Sequence, residues 1–180
     1  MTYRVSIVAL LVFGAMRIQS FAESVPYKDA KAGFELAYPK GVKIWKDTEP
    51  DNHLAIGSPD DGLMVFVNSN VFNEVDLPKT ETALVPWARG IYDHEDPAYR
   101  LESCAVVELP AGKCVKTIVV MTPKSGEVLI AETCTFVDCF QNRSHRRVWK
   151  VFAILPKKRS AEKSAEWQDI LRTVRIYSYE

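Results

Sequence analysis

Between Leu101 and Leu155 four strand-like segments follow one another with little chain between them, and this constrains the fold more than any other feature. Leu101–Leu109 and Lys113–Met121 are separated by Pro110-Ala111-Gly112. Glu127–Val137 follows the turn Thr122-Pro123-Lys124-Ser125-Gly126, and Arg147–Leu155 follows the polar stretch Asp138–Arg146. Parallel neighbours need a crossover of about a dozen residues or more, whereas antiparallel neighbours can be joined by a tight turn. The segments are therefore expected to form an antiparallel meander, with the apolar Val151–Leu155 stretch near its centre.

Shorter strand signals precede the meander. Gly33 to Tyr38 alternates, with Phe34, Leu36 and Tyr38 on one face, and Pro39-Lys40-Gly41 supplies a turn into a short partner strand at Val42–Lys46. His53–Gly57 and Gly62–Asn68 flank Ser58-Pro59-Asp60-Asp61 and read as a second hairpin. Leu63 to Val67 is apolar at every position, which predicts a strand covered on both faces.

Two helices complete the pattern. Thr82–Tyr92 reads as one, with Thr82 as cap, Pro86 near the first turn, and Trp87 and Ile91 sharing a buried face. Trp167, Ile170, Leu171 and Val174 fall at spacings 0, 3, 4 and 7 behind Ser160 as N-cap with Glu162 in the first turn, the clearest amphipathic helix on the chain. Thr173–Tyr177 is then expected to turn into a final strand. The fold class expected is α+β: an antiparallel meander sheet of about six to eight strands flanked by two helices.

The N-terminal segment carries a different signal. Arg4 precedes Val5–Met16, which holds no charge, and Ser20-Phe21-Ala22 places small residues at the −3 and −1 positions of a signal-peptidase site. Twelve helical residues rise roughly 18 Å, against a hydrocarbon core of about 30 Å, so the segment is short for a membrane span, and Arg17 ends it. Residues 1–22 are expected to be a cleavable signal peptide, cut between Ala22 and Glu23. Residues 23–180 would then be a single domain in the periplasm or outside the cell, with no stable membrane anchor. The first cysteine is Cys104, so no cysteine is available for a lipid at the new N-terminus.

The chain is formally neutral; loss of Arg4 and Arg17 leaves residues 23–180 near −2. A nucleic-acid binder neutralises phosphates with excess cations, so that class is not expected. Cys104, Cys114, Cys134 and Cys139 are an even count, which in an exported chain favours disulfides. Three pairings are possible. A tight Pro110-Ala111 turn sets Cys114 opposite Val107, and a turn centred on Lys124 would set Cys114 opposite Cys134. Cys134 and Cys139 can bridge only if the strand ends between them. The sequential pairing, Cys104–Cys114 with Cys134–Cys139, is the expectation. No Cys-x-x-Cys occurs, and the spacings lack a matching histidine pair for zinc.

The order of these pieces resembles the PsbP-like fold family, which includes the photosystem II extrinsic subunit PsbP, the Ran-binding Mog proteins and the bacterial DcrB-type envelope proteins. The residues that carry the resemblance are Gly33-Phe34-Glu35-Leu36-Ala37-Tyr38-Pro39-Lys40-Gly41, Leu109-Pro110-Ala111-Gly112 in the meander, and the closing Trp167…Ile170-Leu171-Arg172-Thr173-Val174 segment; together they span roughly 27–178. The resemblance implies an antiparallel sheet flanked by helices and a non-enzymatic accessory or binding role, with no shared catalytic residues. The cysteines depart from that pattern.

No local motif carries catalysis. His53, His94 and His145 lie in separate turns or loops, and no nucleophile elbow frames a serine. Asp93-His94-Glu95-Asp96 could offer oxygens to a hard cation but reads better as a solvated loop, and no metal or other cofactor is expected. Arg143, Arg146, Arg147 and Lys150 concentrate positive charge that could hold an anionic ligand or acidic partner, with Lys157-Lys158-Arg159 at the far end of the same strand. Asn142-Arg143-Ser144 fits the N-glycosylation sequon. The leading expectation is an exported accessory protein that binds a partner protein or small ligand without catalysis. The alternative is a hydrolytic enzyme whose site is assembled from distant groups such as His53, His94 and Asp60.

Overall fold

The computed structural model describes residues 23–45, 52–58, 60, 62–71, 77–92, 98–124, 126–137 and 147–177. The elements run β1 (Ser24–Asp29), β2 (Phe34–Pro39), β3 (Ile44–Trp45), β4 (Asn52–Ser58), β5 (Leu63–Val71), α1 (Glu81–Tyr92), β6 (Tyr99–Leu109), β7 (Gly112–Met121), β8 (Leu129–Val137), β9 (Arg147–Pro156), α2 (Ser160–Thr173) and β10 (Arg175–Ile176). The class is α+β, with antiparallel sheets throughout.

The meander forms as its short connections require: β6, β7, β8 and β9 are consecutive neighbours. Leu109 pairs with Gly112, and Gly112 takes a φ of +119° that side chains avoid. The sheet then extends from β9 to β5, β4 and β3, in the order β3-β4-β5-β9-β8-β7-β6. A second sheet, β1-β2-β10, joins the start of the described chain to its end.

β2 therefore differs from its expected hairpin. Its partners are β1 and β10, while Ile44–Trp45 pairs with β4. Gly57 explains where β3 is held. Its N–H donates to the Lys43 carbonyl at 2.8 Å, and its own carbonyl accepts from Trp45 Nε1 at 2.6 Å. At φ +98° a Cβ on Gly57 would stand 2.0 Å from the Leu63 carbonyl oxygen, so only glycine fits.

One face of the large sheet is fully packed. Trp149, Val151, Ala153 and Leu155 of β9 and Leu63, Val65 and Val67 of β5 meet Phe34, Leu36 and Tyr38 of β2 and Trp167, Ile170 and Leu171 of α2. Phe34 and Trp149 touch with ring centroids 5.7 Å apart. The helical spacing placed the buried α2 residues correctly. Ser160, however, is the first helical residue rather than the cap: Lys157–Arg159 already winds as a 3-10 turn, and the Ser160 hydroxyl donates back to the Lys157 carbonyl at 2.9 Å. At the other end Thr173 Oγ1 accepts from the Ala37 N–H at 2.8 Å, tying α2 to β2.

Glu132 fastens α2 to the large sheet. Its Oε2 lies 2.7 Å from Lys116 Nζ and accepts from Trp167 Nε1 at 3.2 Å and Gln168 Nε2 at 3.4 Å. Three donors make a buried carboxylate tolerable.

Candidate binding face

The opposite face of the large sheet is covered over only part of its width. Leu84 and Ala88 of α1 pack with Val115, Val137 and Val148, and partly buried Trp87, Cys104 and Val106 join them. Helix α1 makes its main contacts with β6 and β7. Its first turn follows Thr80, whose carbonyl accepts from the Ala83 N–H at 3.1 Å, and Pro86, the sixth residue, leaves the Thr82 carbonyl without its usual donor.

Beyond α1 the register lines up two apolar rows. One runs Trp45, Ala55, Phe66, Phe152, Thr133, Thr117 from β3 to β7. The next runs Met64, Ile154, Ala131, Val119, Leu101 from β5 to β6. Phe66 and Phe152 stack with centroids 4.8 Å apart and planes 15° from parallel. Those two rings, with Met64, Ile154 and Ala131, are only half-buried, while Trp45 at one end keeps 44% of its surface and Tyr99 near the other 50%. Exposed large apolar side chains set side by side mark a contact surface more strongly than scattered ones do.

This overturns the reading of Leu63–Val67 as covered on both faces. Leu63, Val65 and Val67 are buried, but Met64 and Phe66 alternate outward and stay half-open. A continuous apolar run cannot distinguish a face covered by its own chain from one left for something else.

A polar band borders the rows. Asn68 and Lys150 are cross-strand neighbours, and Asn70 lies two residues on along β5. The Oδ1 atoms of Asn68 and Asn70 and the Oγ1 of Thr117 are buried without a hydrogen-bond partner among the described residues. An unpaired buried acceptor costs about 1–3 kcal/mol. Lys150 forms no ion pair among the described residues.

His53 belongs to the packed face, not to this one. A β-bulge at Asn52–Leu54 turns it toward the core, where its ring lies 6.0 Å from Phe34 and 5.4 Å from Trp149. Its Nε2 lies 2.7 Å from the buried Ser69 Oγ. Asp60 is exposed on the turn after β4, where its carbonyl accepts from Arg159. His53 and Asp60 thus share no concave site, and His94 lies outside the described residues, as does the rest of Asp93–Asp96. Among the described residues no cluster of His, Cys, Asp and Glu could hold a metal, and no helix is long and apolar enough to cross a membrane.

No family model matches the chain, and no curated protein matches it in sequence. Solved structures do. LpqN of Mycobacterium tuberculosis, described as involved in cell envelope biogenesis, superposes with a TM-score of 0.61 at 11% identity, covering 87% of this chain and 91% of its own. The cyanobacterial PsbP protein CyanoP of Synechocystis superposes with a TM-score of 0.57 at 13% identity, covering 92% of this chain and 99% of its own. The chain has a PsbP-like fold.

Within this PsbP-like fold no disulfide joins the described cysteines, so the expected Cys104–Cys114 bridge is absent. Cys104, Cys114 and Cys134 are free thiols, and Cys139 lies outside the described residues. Cys114 stands opposite Val107 as the Pro110-Ala111 turn requires. That register sends Cys104, opposite Thr117, to the α1 face, while Cys114 points into the α2 core. A Cys104–Cys114 bridge would have to pass through the sheet. The Cys104 thiol is pushed up by burial, opposed by Arg89. The Cys114 thiol is held protonated first by its hydrogen bond to Cys134 and then by burial, with Lys116 pulling weakly the other way.

The basic cluster also divides. Arg147 sits on the packed side, its guanidinium 5.7 Å from the Trp149 ring centroid, and Lys150 sits on the open face, because successive side chains of β9 alternate. Arg143 and Arg146 lie outside the described residues. Lys158 pairs with Glu127 at 2.7 Å beside an open hollow at the β7–β8 turn, and Arg159 lies 3.9 Å from Glu162, so these cations are neutralised locally. Reasoning from sequence missed Phe66, Phe152, Asn68 and Asn70. The signal was the alternation Met64-Phe66-Asn68-Asn70, which places both aromatic and amide groups on one face of β5.

Proposed function

We propose that residues 23–180 form an exported accessory protein of the periplasm or extracellular space that binds a partner protein on the open sheet face, without catalysis. The observation that carries this reading is the half-buried Phe66–Phe152 stack beside the unpaired Asn68 and Asn70 oxygens and Lys150. A partner that lays an apolar side chain on the stack and brings a carboxylate to Lys150 matches the apolar rows and the cation that borders them.

A protein surface suits this face better than a small molecule does. Small-molecule sites are concave, roughly 300–1,000 Å³, and enclose most of the ligand. The rows here form a sheet surface; the cavity beneath Tyr38, Ile56 and Ile170, about 20 Å³, lies on the packed face, and the hollow of about 650 Å³ beside Lys157 and Lys158 is a shallow, solvent-open one away from the rows. Export is supported by the N-terminal segment, and Glu23, which cleavage would leave as the new N-terminus, is anchored by an ion pair to Lys40 and by the Lys40 N–H on its carbonyl. The cell-envelope role of LpqN, which shares the fold, points the same way.

The test begins with a photo-crosslinking residue at Ile154 in the full chain, in its native compartment, and with a control at Lys28 on the small sheet. The captured protein is then purified and its affinity measured. Phe152→Ala and Lys150→Glu should each weaken binding by about tenfold or more, and Lys150→Glu should do so with the unfolding midpoint nearly unchanged. Equal crosslinking from Lys28, crosslinks only between copies of the chain, or unchanged affinity in both variants would refute the reading.

A further inference from the structure

Cys114 and Cys134 lie on adjoining strands, β7 and β8, and on the same face of the sheet. Lys116 is paired with Cys134, so Cys114 is its diagonal neighbour, two residues back along β7. Diagonal neighbours on a sheet stand about 7–8 Å apart and the right-handed twist draws one of the two diagonals closer; here the Cys114 thiol is close enough to hydrogen-bond Cys134. Both thiols are buried, at 1% and 0% exposure, in the core that joins the large sheet to α2. Cys104 is removed from competition by the sheet itself, since it faces α1.

We propose that Cys114 and Cys134 form a disulfide when the chain folds under oxidising conditions, stapling β7 to β8 beneath α2. The oxidant is a disulfide of the thiol–disulfide exchange class. One cysteine thiolate attacks a sulfur of that disulfide, forming a mixed disulfide and expelling a thiolate. The second cysteine, losing its proton, then displaces the remaining half. Two protein thiols become one S–S bond, the oxidant becomes two thiols, and the two protons and two electrons pass to it.

Burial sets the timing of the reaction. No exchange reagent reaches either sulfur in the closed core, so the bond forms while β8 is docking on β7 and afterwards resists reduction until the core opens. The bridge closes a loop of 19 intervening residues that includes the β7–β8 turn. A loop of that size corresponds to a rise in melting temperature of about 7–13 °C for a domain of this length.

The test refolds the full chain in a glutathione redox buffer, blocks free thiols with N-ethylmaleimide in denaturant, and digests without reduction. Trypsin cuts at Lys113 and Lys116 and so isolates Cys114, but it leaves Cys134 and Cys139 on one peptide. Adding Asp-N, which cuts before Asp138, separates them. The expected product is a Cys114–Cys134 linked pair that disappears on reduction, persists in Cys139→Ser and is absent from Cys134→Ala. Its formation should raise the melting temperature, and dithiothreitol should remove it only in denaturant. Maleimide on both Cys114 and Cys134, or a Cys134–Cys139 link in the wild-type chain, would overturn the proposal. The refolding is done in vitro, so this result stands or falls independently of export and of the binding face.

Discussion

Replacing Glu132 with alanine removes the one acceptor that Lys116, Trp167 and Gln168 share, and the structure allows its cost to be worked out. Trp167 is wholly buried, so its indole N–H loses its partner without gaining water, at about 1–3 kcal/mol. Lys116 loses its counter-ion, and breaking a buried pair costs about 3–5 kcal/mol. The Lys116 side chain keeps 24% of its surface, however, so its ammonium can rehydrate, and about 1–2 kcal/mol of that figure is the appropriate share. The expected loss is about 3 kcal/mol, or roughly 6–12 °C in melting temperature for a domain of this size. Urea denaturation followed by tryptophan fluorescence reads it directly, because Trp167 reports on the docking of α2. Glu132→Gln keeps one acceptor for the indole and should fall between wild type and alanine. In a Lys116→Met background Glu132→Ala should cost about 1 kcal/mol less, since no cation is then stranded. A loss below about 1 kcal/mol for Glu132→Ala, or no difference between the two backgrounds, would show that the network does not hold α2 to the sheet.

Other outcomes follow from single positions. Gly57→Ala should cost about 3 kcal/mol or more by urea denaturation, because its methyl meets the Leu63 carbonyl at 2.0 Å, whereas Gly41→Ala, at φ +89° with open space around it, should cost about 1 kcal/mol from backbone strain alone. Phe34→Ala should destabilise by about 3–5 kcal/mol, since the ring is fully buried between Tyr27 and Trp149. Tyr177 and Tyr27 titrate above the ordinary value of 10.0, the first through its hydrogen bond to Glu35 and the second through burial. Folding favours the protonated phenols, so their contribution is complete below pH 10.0 and is lost as the pH rises through the folded-state values. Absorbance at about 295 nm during alkaline titration should show a late-titrating component that shrinks in Tyr27→Phe and again in Tyr177→Phe.

How much of this was open to the sequence differs from element to element. The meander was legible because it is local: connections of three, five and nine residues between apolar segments are too short for parallel crossovers and leave antiparallel pairing as the available solution. The α2 stripe was legible for the same reason, since Trp167, Ile170 and Leu171 are brought to one face by helical geometry alone. The Val107–Cys114 alignment likewise followed from the turn beside it.

The remainder depended on contacts between distant parts of the chain. That β9 inserts between β5 and β8, and that β10 returns to β2, are pairings across long separations that no local pattern encodes. Those pairings decide which side of each strand meets α2. They decide that Cys104 meets α1 and Cys114 the α2 core, that Arg147 lies on the packed side and Lys150 on the open one, and that half-buried His53 lies beside Ser69. They also turn Phe66 and Phe152 outward together. Hydrophobic composition determines that a strand is sheltered from water, but a period of two assigns its residues to two faces without naming either one. Only the packing of α2 and the small sheet against one side, and of α1 against part of the other, left the Phe66–Phe152 face open.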